Sequence, residues 1–298
     1  MLKLAARRLA IYLAISASFA QVAFATEVLV VNSKSEPESV TIAPGGILFA
    51  SSASSPFVYR VRSGSNVAEK FVDASTEGPG TFFFGVLADA ATNTLWTCQL
   101  TPVTGITPVR PRSALRGFDL VTGAQKVRWN LPGVNSVCND FSIGPDKALY
   151  ITDTINGRIY KLAAGATIAE LFLEDSTLLI GVDGITFLEG RLYVTNVFTS
   201  KLYRIPMDSS GKAGPALELT TDQTIKAPDG MRAAHGKLLL ADSGNGKIEA
   251  LTVTGDKAHI TVLKGDLNTP TAVEPSGDVL WIAERGAGKA LSISLPNH

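Results

Sequence analysis

The chain has 298 residues, 27 basic and 27 acidic side chains, a formal net charge of zero and 45% hydrophobic residues. A neutral balance with no basic stripe interleaved with aromatics argues against a nucleic-acid-binding surface. The hydrophobic fraction is ample for a packed core, and the length suits one large all-β domain or two ordinary ones.

In chain order, the first element is export chemistry. Lys3, Arg7 and Arg8 form a short positive region, Leu9 to Phe19 is apolar, and Ala23-Phe24-Ala25 places small residues where a signal peptidase reads. Residues 1–25 therefore read as a secretory signal peptide. The run is too short for a typical membrane span, and no later stretch is as long, so no membrane anchor is expected. Residues 26–298 are expected to form the exported domain, in a periplasm or outside the cell. Cys98 and Cys138 are the two cysteines. In an oxidising compartment they form either a disulfide or two buried thiols, and their spacing does not suggest zinc.

Residues 27–31 (EVLVV) have strand character and precede six similar units. The units open at Glu38, Phe84, Asn139, Asp183, Asp229 and Thr271, spaced by 46, 55, 44, 46 and 42 residues. Each has an apolar strand, a tight turn containing Gly, Asn or Asp, and a second strand rich in Leu, Tyr, Val, Ile or Trp. Third strands follow in FVYRV, GRIYKL, SKLYRI and GKIEAL, and fainter fourth strands in AELFL and ITVL. Four strands in about 45 residues is the signature of a propeller blade. The fold class is therefore all-β, a six-bladed β-propeller with four-stranded blades. An open ring would leave bare strand edges, so residues 27–31 are expected to complete the last blade. The tryptophans (Trp96, Trp129 and Trp281) read as not sharing the period.

The innermost strand of each blade lines a central channel, so the six opening residues form a ring. Glu38, Asn139, Asp183 and Asp229 bring oxygen donors to it. Three carboxylates on one axis repel unless a cation lies between them. Carboxylate and amide oxygens favour Ca²⁺ or Mg²⁺ over zinc, and none of the three histidines falls on the ring. Calcium is the better match, because it accepts irregular oxygen shells and is available outside cells. Any one of these residues alone is an ordinary turn or capping residue; the four equivalent positions together carry the expectation.

At these residues the chain resembles the senescence marker protein, gluconolactonase and luciferin-regenerating enzyme family. The resemblance is most specific at APDGMRAAHGKLLLAD (227–242), good at GVDGITF (181–187), fair at CNDFSIGPDKALY (138–150) and weak at PESVTI (37–42). It implies a six-bladed propeller with one divalent metal in the channel. On this resemblance Glu38, Asp183 and Asp229 match the metal ligands, Asn139 matches an additional Asn near the substrate and metal, and Asp229 is also the general base. Two departures stand out. Asp183 takes the place of an Asn, adding charge that tightens cation binding and reduces Lewis acidity. Val137 stands where the sugar-lactone hydrolases carry Arg, so a sugar acid lactone is a doubtful substrate.

The long second unit contains an insertion, TPVTGITPVRPRSALRG (101–117). Its prolines suggest a stiff loop over the ring, with Arg110, Arg112 and Arg116 offered to a substrate; the plainer reading is a solvated surface loop whose arginines make only weak salt bridges. The Asp, Asn and Gly of the short loops at 153–157, 196–200, 242–246 and 284–288 read as hairpin chemistry without a catalytic role. The expected function is calcium-dependent hydrolysis of a small-molecule lactone or ester by a monomer. The alternative is a non-enzymatic propeller that binds a ligand or protein, since ALYITDTINGRIYKL and KLLLADSGNGKIEAL also resemble NHL repeats. A strictosidine-synthase-like or oxidoreductase propeller is a third reading.

Overall fold

The computed structural model of the chain describes residues 26–30, 32, 34–103, 110–133 and 135–296. The signal segment read over residues 1–25 lies outside them.

Six separate sheets, each built on four antiparallel strands, follow one another along the chain. Blade 1 consists of Val40–Ala43, Ile47–Ala50, Phe57–Val61 and Ala68–Asp73. Blade 2 consists of Phe82–Asp89, Thr94–Val103, Arg110–Asp119 and Gln125–Asn130. Blade 3 runs through Cys138–Ile143, Leu149–Asp153, Arg158–Leu162 and Glu170–Glu174. Blade 4 has Val182–Leu188, Arg191–Asn196, Lys201–Ile205 and a two-residue outer strand, Leu217–Glu218. Blade 5 has Pro228–Ala234, Lys237–Asp242, Lys247–Thr254 and Lys257–Lys264, with Thr220–Thr221 added in parallel at its outer edge.

Blade 6 contributes Pro270–Ser276, Val279–Glu284 and Lys289–Ser294. Its fourth strand is Glu27–Leu29, paired antiparallel with Glu27 opposite Leu291. The N-terminal strand therefore closes the ring as its sequence suggests, and both ends of the propeller are joined by backbone hydrogen bonds. Among the described residues no helix is long and apolar enough to cross a membrane.

The core is divided into six apolar clusters, one between each pair of neighbouring blades. Every blade is thus covered on both faces. This explains why Leu149–Asp153 is buried at every position, where a sheet wetted on one face would alternate. Each second strand carries a large side chain after its first buried Leu. Tyr150 pairs with Ser142, and Tyr193 with Thr186, across the equivalent hairpins. Trp96 pairs with Leu87 and Trp281 with Glu274 in the same register. Two of the three tryptophans therefore do share the repeat, contrary to the sequence reading; Phe, Trp, Tyr and Leu interchange at a position that asks only for bulk.

Cys98 and Cys138 form a disulfide, with Cα atoms 5.2 Å apart across 40 residues. It joins the second strand of blade 2 to the start of the inner strand of blade 3. Loop-closure entropy for such a span is worth about 4 kcal/mol at most. Replacing both cysteines by Ala is expected to lower the unfolding free energy by roughly 2–4 kcal/mol in urea titrations; an unchanged midpoint would show that the crosslink adds nothing to blade packing.

The described residues of the insertion in blade 2 are strand, not loop. Thr94–Val103 pairs with Arg110–Asp119 along its whole length, out to Val103 opposite Arg110. The inner strand stops pairing at Leu100 and the outer one at Ala114. The remainder protrudes as a two-stranded ribbon, so Pro102 and Pro111 face each other where no further strand needs their missing N–H. Residues 104–109 lie outside the described residues.

Candidate functional site

The inner strands of blades 2 to 5 share a local irregularity. Their registers shift between Phe83 and Val86, Cys138 and Phe141, Val182 and Ile185, and Pro228 and Met231. Such a bulge re-aims the residues within it. The bulged pairs are Phe84-Gly85, Asn139-Asp140, Asp183-Gly184 and Asp229-Gly230. In blades 3 to 5 the bulge brings Asn139, Asp183 and Asp229 to a common cavity on the axis.

The glycines of these pairs allow neighbouring inner strands to touch. A Cβ on Gly184 would lie 2.5 Å from the backbone oxygen of Asp229, and one on Gly230 would lie 2.7 Å from that of Thr271. Two threonines bind inner strands together at the junctions of blades 3 and 4 and of blades 4 and 5. Thr152 Oγ1 donates to the Asp183 oxygen at 2.8 Å, and Thr195 Oγ1 to the Asp229 oxygen at 2.9 Å. Gly184→Ala is expected to push blade 5 away from blade 4 and misplace Asp183 and Asp229 together. The loss of stability should be at least 1–3 kcal/mol, as for overpacking; a melting temperature within a degree of the parent would contradict this close approach.

Glu38, Asn139, Asp183 and Asp229 all line one small cavity, whose wall also includes Asp140, Thr271 and Gly85. The cavity is ≈ 10 Å³, room for a single water or ion. Glu38, Asn139 and Asp183 are buried and Asp229 half-buried. Asn139 Nδ2 donates to Asp183 Oδ2 at 2.8 Å and to Thr154 Oγ1 at 2.9 Å. Burial, then the neighbouring Asp183, holds the Glu38 carboxyl well above the usual range. Burial, then Asp229, does the same to Asp183. Burial, then Glu38, does so to Asp229. Each carboxyl is raised by desolvation and by another of the three. The group is short of positive charge, which is the condition a bound cation relieves.

The donor types and the size of the cavity fit a hard cation with oxygen ligands. The side chains are nevertheless not drawn into a finished shell: among the described residues, no group of three or more His, Cys, Asp or Glu stands ready to hold a metal ion. Binding would require the carboxylates to close inward.

A second polar layer lies in the channel. Asp140 turns away from Asn139 and takes a bidentate ion pair from Arg232, at 2.7 and 3.0 Å. Arg232 Nε lies 3.3 Å from Glu274 Oε2, and Thr41 Oγ1 donates to Glu274 Oε1 at 3.1 Å. Four blades are thereby joined across the axis. Arg232 is matched by two carboxylates, and its charge pulls the Glu38 carboxyl down less than burial and the neighbouring carboxylates push it up. The sequence analysis missed this layer, although Thr41, Arg232 and Glu274 occupy the same position of the repeat, each opposite the bulky residue of its second strand.

It also missed Arg285. This residue follows the second strand of blade 6 and is tethered to Glu36 at 3.4 Å. Its positive charge pulls the Glu38 and Asp229 carboxyls down against the larger effect of burial. The signal available in sequence was its position directly after Glu284, equivalent to that of Thr154 after Asp153.

Two arginines of the insertion, Arg112 and Arg116, go elsewhere. Arg112 lines a separate cleft of about 290 Å³ with Glu77 and Arg128. Arg116 is buried, hydrogen-bonds Glu77, Gln99 and Gln125, and stacks on Phe118. The backbone of Arg110 pairs with Val103; its side chain lies outside the described residues. The short loops do hold hairpin chemistry. Asp153 accepts from the Val137 N–H at 2.8 Å and from Asn156 at 3.0 Å, and Asp242 accepts from Lys226 N–H at 2.9 Å and from Asn245 at 2.8 Å.

No family model and no curated protein matches the chain. Solved structures share its fold. A gluconolactonase from Xanthomonas campestris superposes with a TM-score of 0.65 at 16% identity, covering 90% of this chain and 89% of that one. A second protein, described as a putative gluconolactonase, gives 0.68 at 15% identity, covering 91% and 92%. Virginiamycin B lyase from Staphylococcus aureus gives 0.63 at 15% identity, covering 92% and 99%. At such identities the likeness is one of fold.

Proposed function

We propose that this is an exported, calcium-assisted hydrolase of a lactone or related ester, acting as a monomer in the periplasm or outside the cell. The observation that carries the reading is the convergence of Glu38, Asn139, Asp183 and Asp229, from four blades, on one ion-sized cavity. The motif resemblance and the gluconolactonase-like neighbours support it, and the disulfide suits an oxidising compartment.

Glu38, Asp183, Asp229 and Asn139 would hold the cation. When bound, it supplies polarisation of the substrate carbonyl and a lowered pKa for the attacking water. Asp229 is the general base, a carboxylate that the cation would hold ionised and able to accept a proton. It takes a proton from water as the new bond to the carbonyl carbon forms. The carbon–oxygen bond of the ring or ester then breaks, the leaving oxygen takes that proton back, and the product acid releases its own. Asn139 orients the substrate by hydrogen bonding.

A second reading, a propeller that binds its ligand without turnover, draws on the unfinished donor shell. Proton release from a panel of lactones and aryl esters, with excess calcium and with chelator, separates the two. Acid production that depends on calcium is expected. No turnover in either condition overturns the hydrolase reading and leaves the binding one.

A further inference from the structure

A cleft of about 450 Å³ opens directly beside the ring, sharing Asn139 and Asp183 with it. That is the size of a small-molecule site. Its walls come from three blades. Blade 2 supplies Phe82, Phe84 and Leu100, and the ribbon adds Pro102 and Pro111; Ile155, Val197 and Phe198 come from the loops of blades 3 and 4. The polar lining is confined to Asn139, Asp183 and Thr154, and the first two belong to the ring cavity.

Two further features set the cleft apart from an ordinary surface groove. Phe198 is 59% exposed and Ile155 38% exposed; large apolar side chains left open to water, side by side, mark a place where something apolar docks. The site is also asymmetric. The charged residues near the ring, Arg285 and Glu36, stand on the blade 6 and blade 1 side, opposite the apolar walls.

We propose that the substrate has an apolar body, an aryl group or a medium-length alkyl chain, which lies on blades 2 to 4 and presents its ester or lactone carbonyl to Asn139 and Asp183. Polyhydroxylated lactones are poor ligands of this site. Among the described residues, no lining side chain beyond Asn139, Asp183 and Thr154 offers a donor or acceptor, and a hydroxyl buried against the apolar walls without a partner loses roughly tenfold or more in affinity. An alkyl or aryl body gains affinity with each methylene it removes from water. This inference deepens the hydrolase reading and rests on it for the reacting group, but not for the apolar body.

Lactams resist hydrolysis, so they report binding without turnover. The test is calorimetric titration of the calcium-loaded protein with an alkyl-substituted δ-lactam and with a polyhydroxylated δ-lactam, beside turnover of the corresponding lactones. The alkyl lactam is expected to bind at least roughly tenfold tighter. Phe198→Asp, at a largely exposed position that leaves the fold intact by circular dichroism, should remove most of that preference without changing the response to calcium. Tight binding of the alkyl lactam with no lactone turned over upholds the apolar-body proposal and sinks the hydrolase reading. Turnover of the polyhydroxylated lactone, with no binding of the alkyl lactam, does the reverse. Equal binding of the two lactams, or no binding of either, overturns the proposal, as does an unchanged preference in Phe198→Asp.

Discussion

Calcium added to metal-free protein at pH 8 is expected to raise the melting temperature by roughly 5–10 °C at a hundredfold excess over the dissociation constant, from about 2.7 kcal/mol of linkage. The gain should fade toward pH 4. The reason lies in the three crowded carboxyls. In the metal-free fold Glu38, Asp183 and Asp229 are all pushed well above their ordinary values, first by burial and then by one another. A group whose folded pKa is raised contributes stability below its unfolded pKa, near 4, and loses it as pH rises through the folded value. The metal-free protein should therefore weaken between about pH 4 and pH 8. A cation reverses the sign, because it binds the ionised carboxylates and competes with their protons. Thermal melts across that range, with calcium and with chelator, check both slopes. Identical curves in the two conditions would remove the cation from the account.

Replacing Asp229 by Ala is expected to lower turnover by at least a hundredfold, the scale of a lost general base, and to weaken calcium binding. The same substitution should make the metal-free protein more stable at pH 8. One of three mutually repelling buried charges is gone, and Glu38 loses no positive partner, since Arg285 stays. Opposite movements of activity and stability distinguish a functional carboxylate from a structural one. A structural carboxylate is available for contrast. Asp140 holds Arg232 in a buried bidentate pair, and removing one partner of such a pair leaves a buried charge uncompensated, at a cost of about 3–5 kcal/mol. Asp140→Ala should therefore destabilise the protein with or without calcium. Full activity in Asp229→Ala would refute the assignment of the base.

The sequence alone determined the blades. Strand, tight turn and strand are local signals written within about fifteen residues, and their recurrence converts sequence position into angle around an axis. That conversion also found the ring, because Glu38, Asn139, Asp183 and Asp229 hold equivalent places in the repeat and line one cavity. Even the closing strand could be read, since an open ring has an edge that must be paired; the structure pairs it at Glu27–Leu29.

The tertiary structure decided everything that depends on side chains from different blades meeting. Asp140 and Arg232 are 92 residues apart, and nothing local to either predicts the other. The cysteines were open between two states until packing brought their Cα atoms to 5.2 Å. The insertion looked like a loop because its prolines usually break a strand; a ribbon that no third strand joins beyond Leu100 and Ala114 leaves Pro102 and Pro111 free of hydrogen-bonding duty. The apolar cleft was invisible for the same reason. Phe84, Ile155 and Phe198 each read as one more hydrophobic residue of a propeller. Blade curvature and closure gather them beside the ring, because the repeat fixes what each blade contains while the angle between blades fixes which of those residues meet.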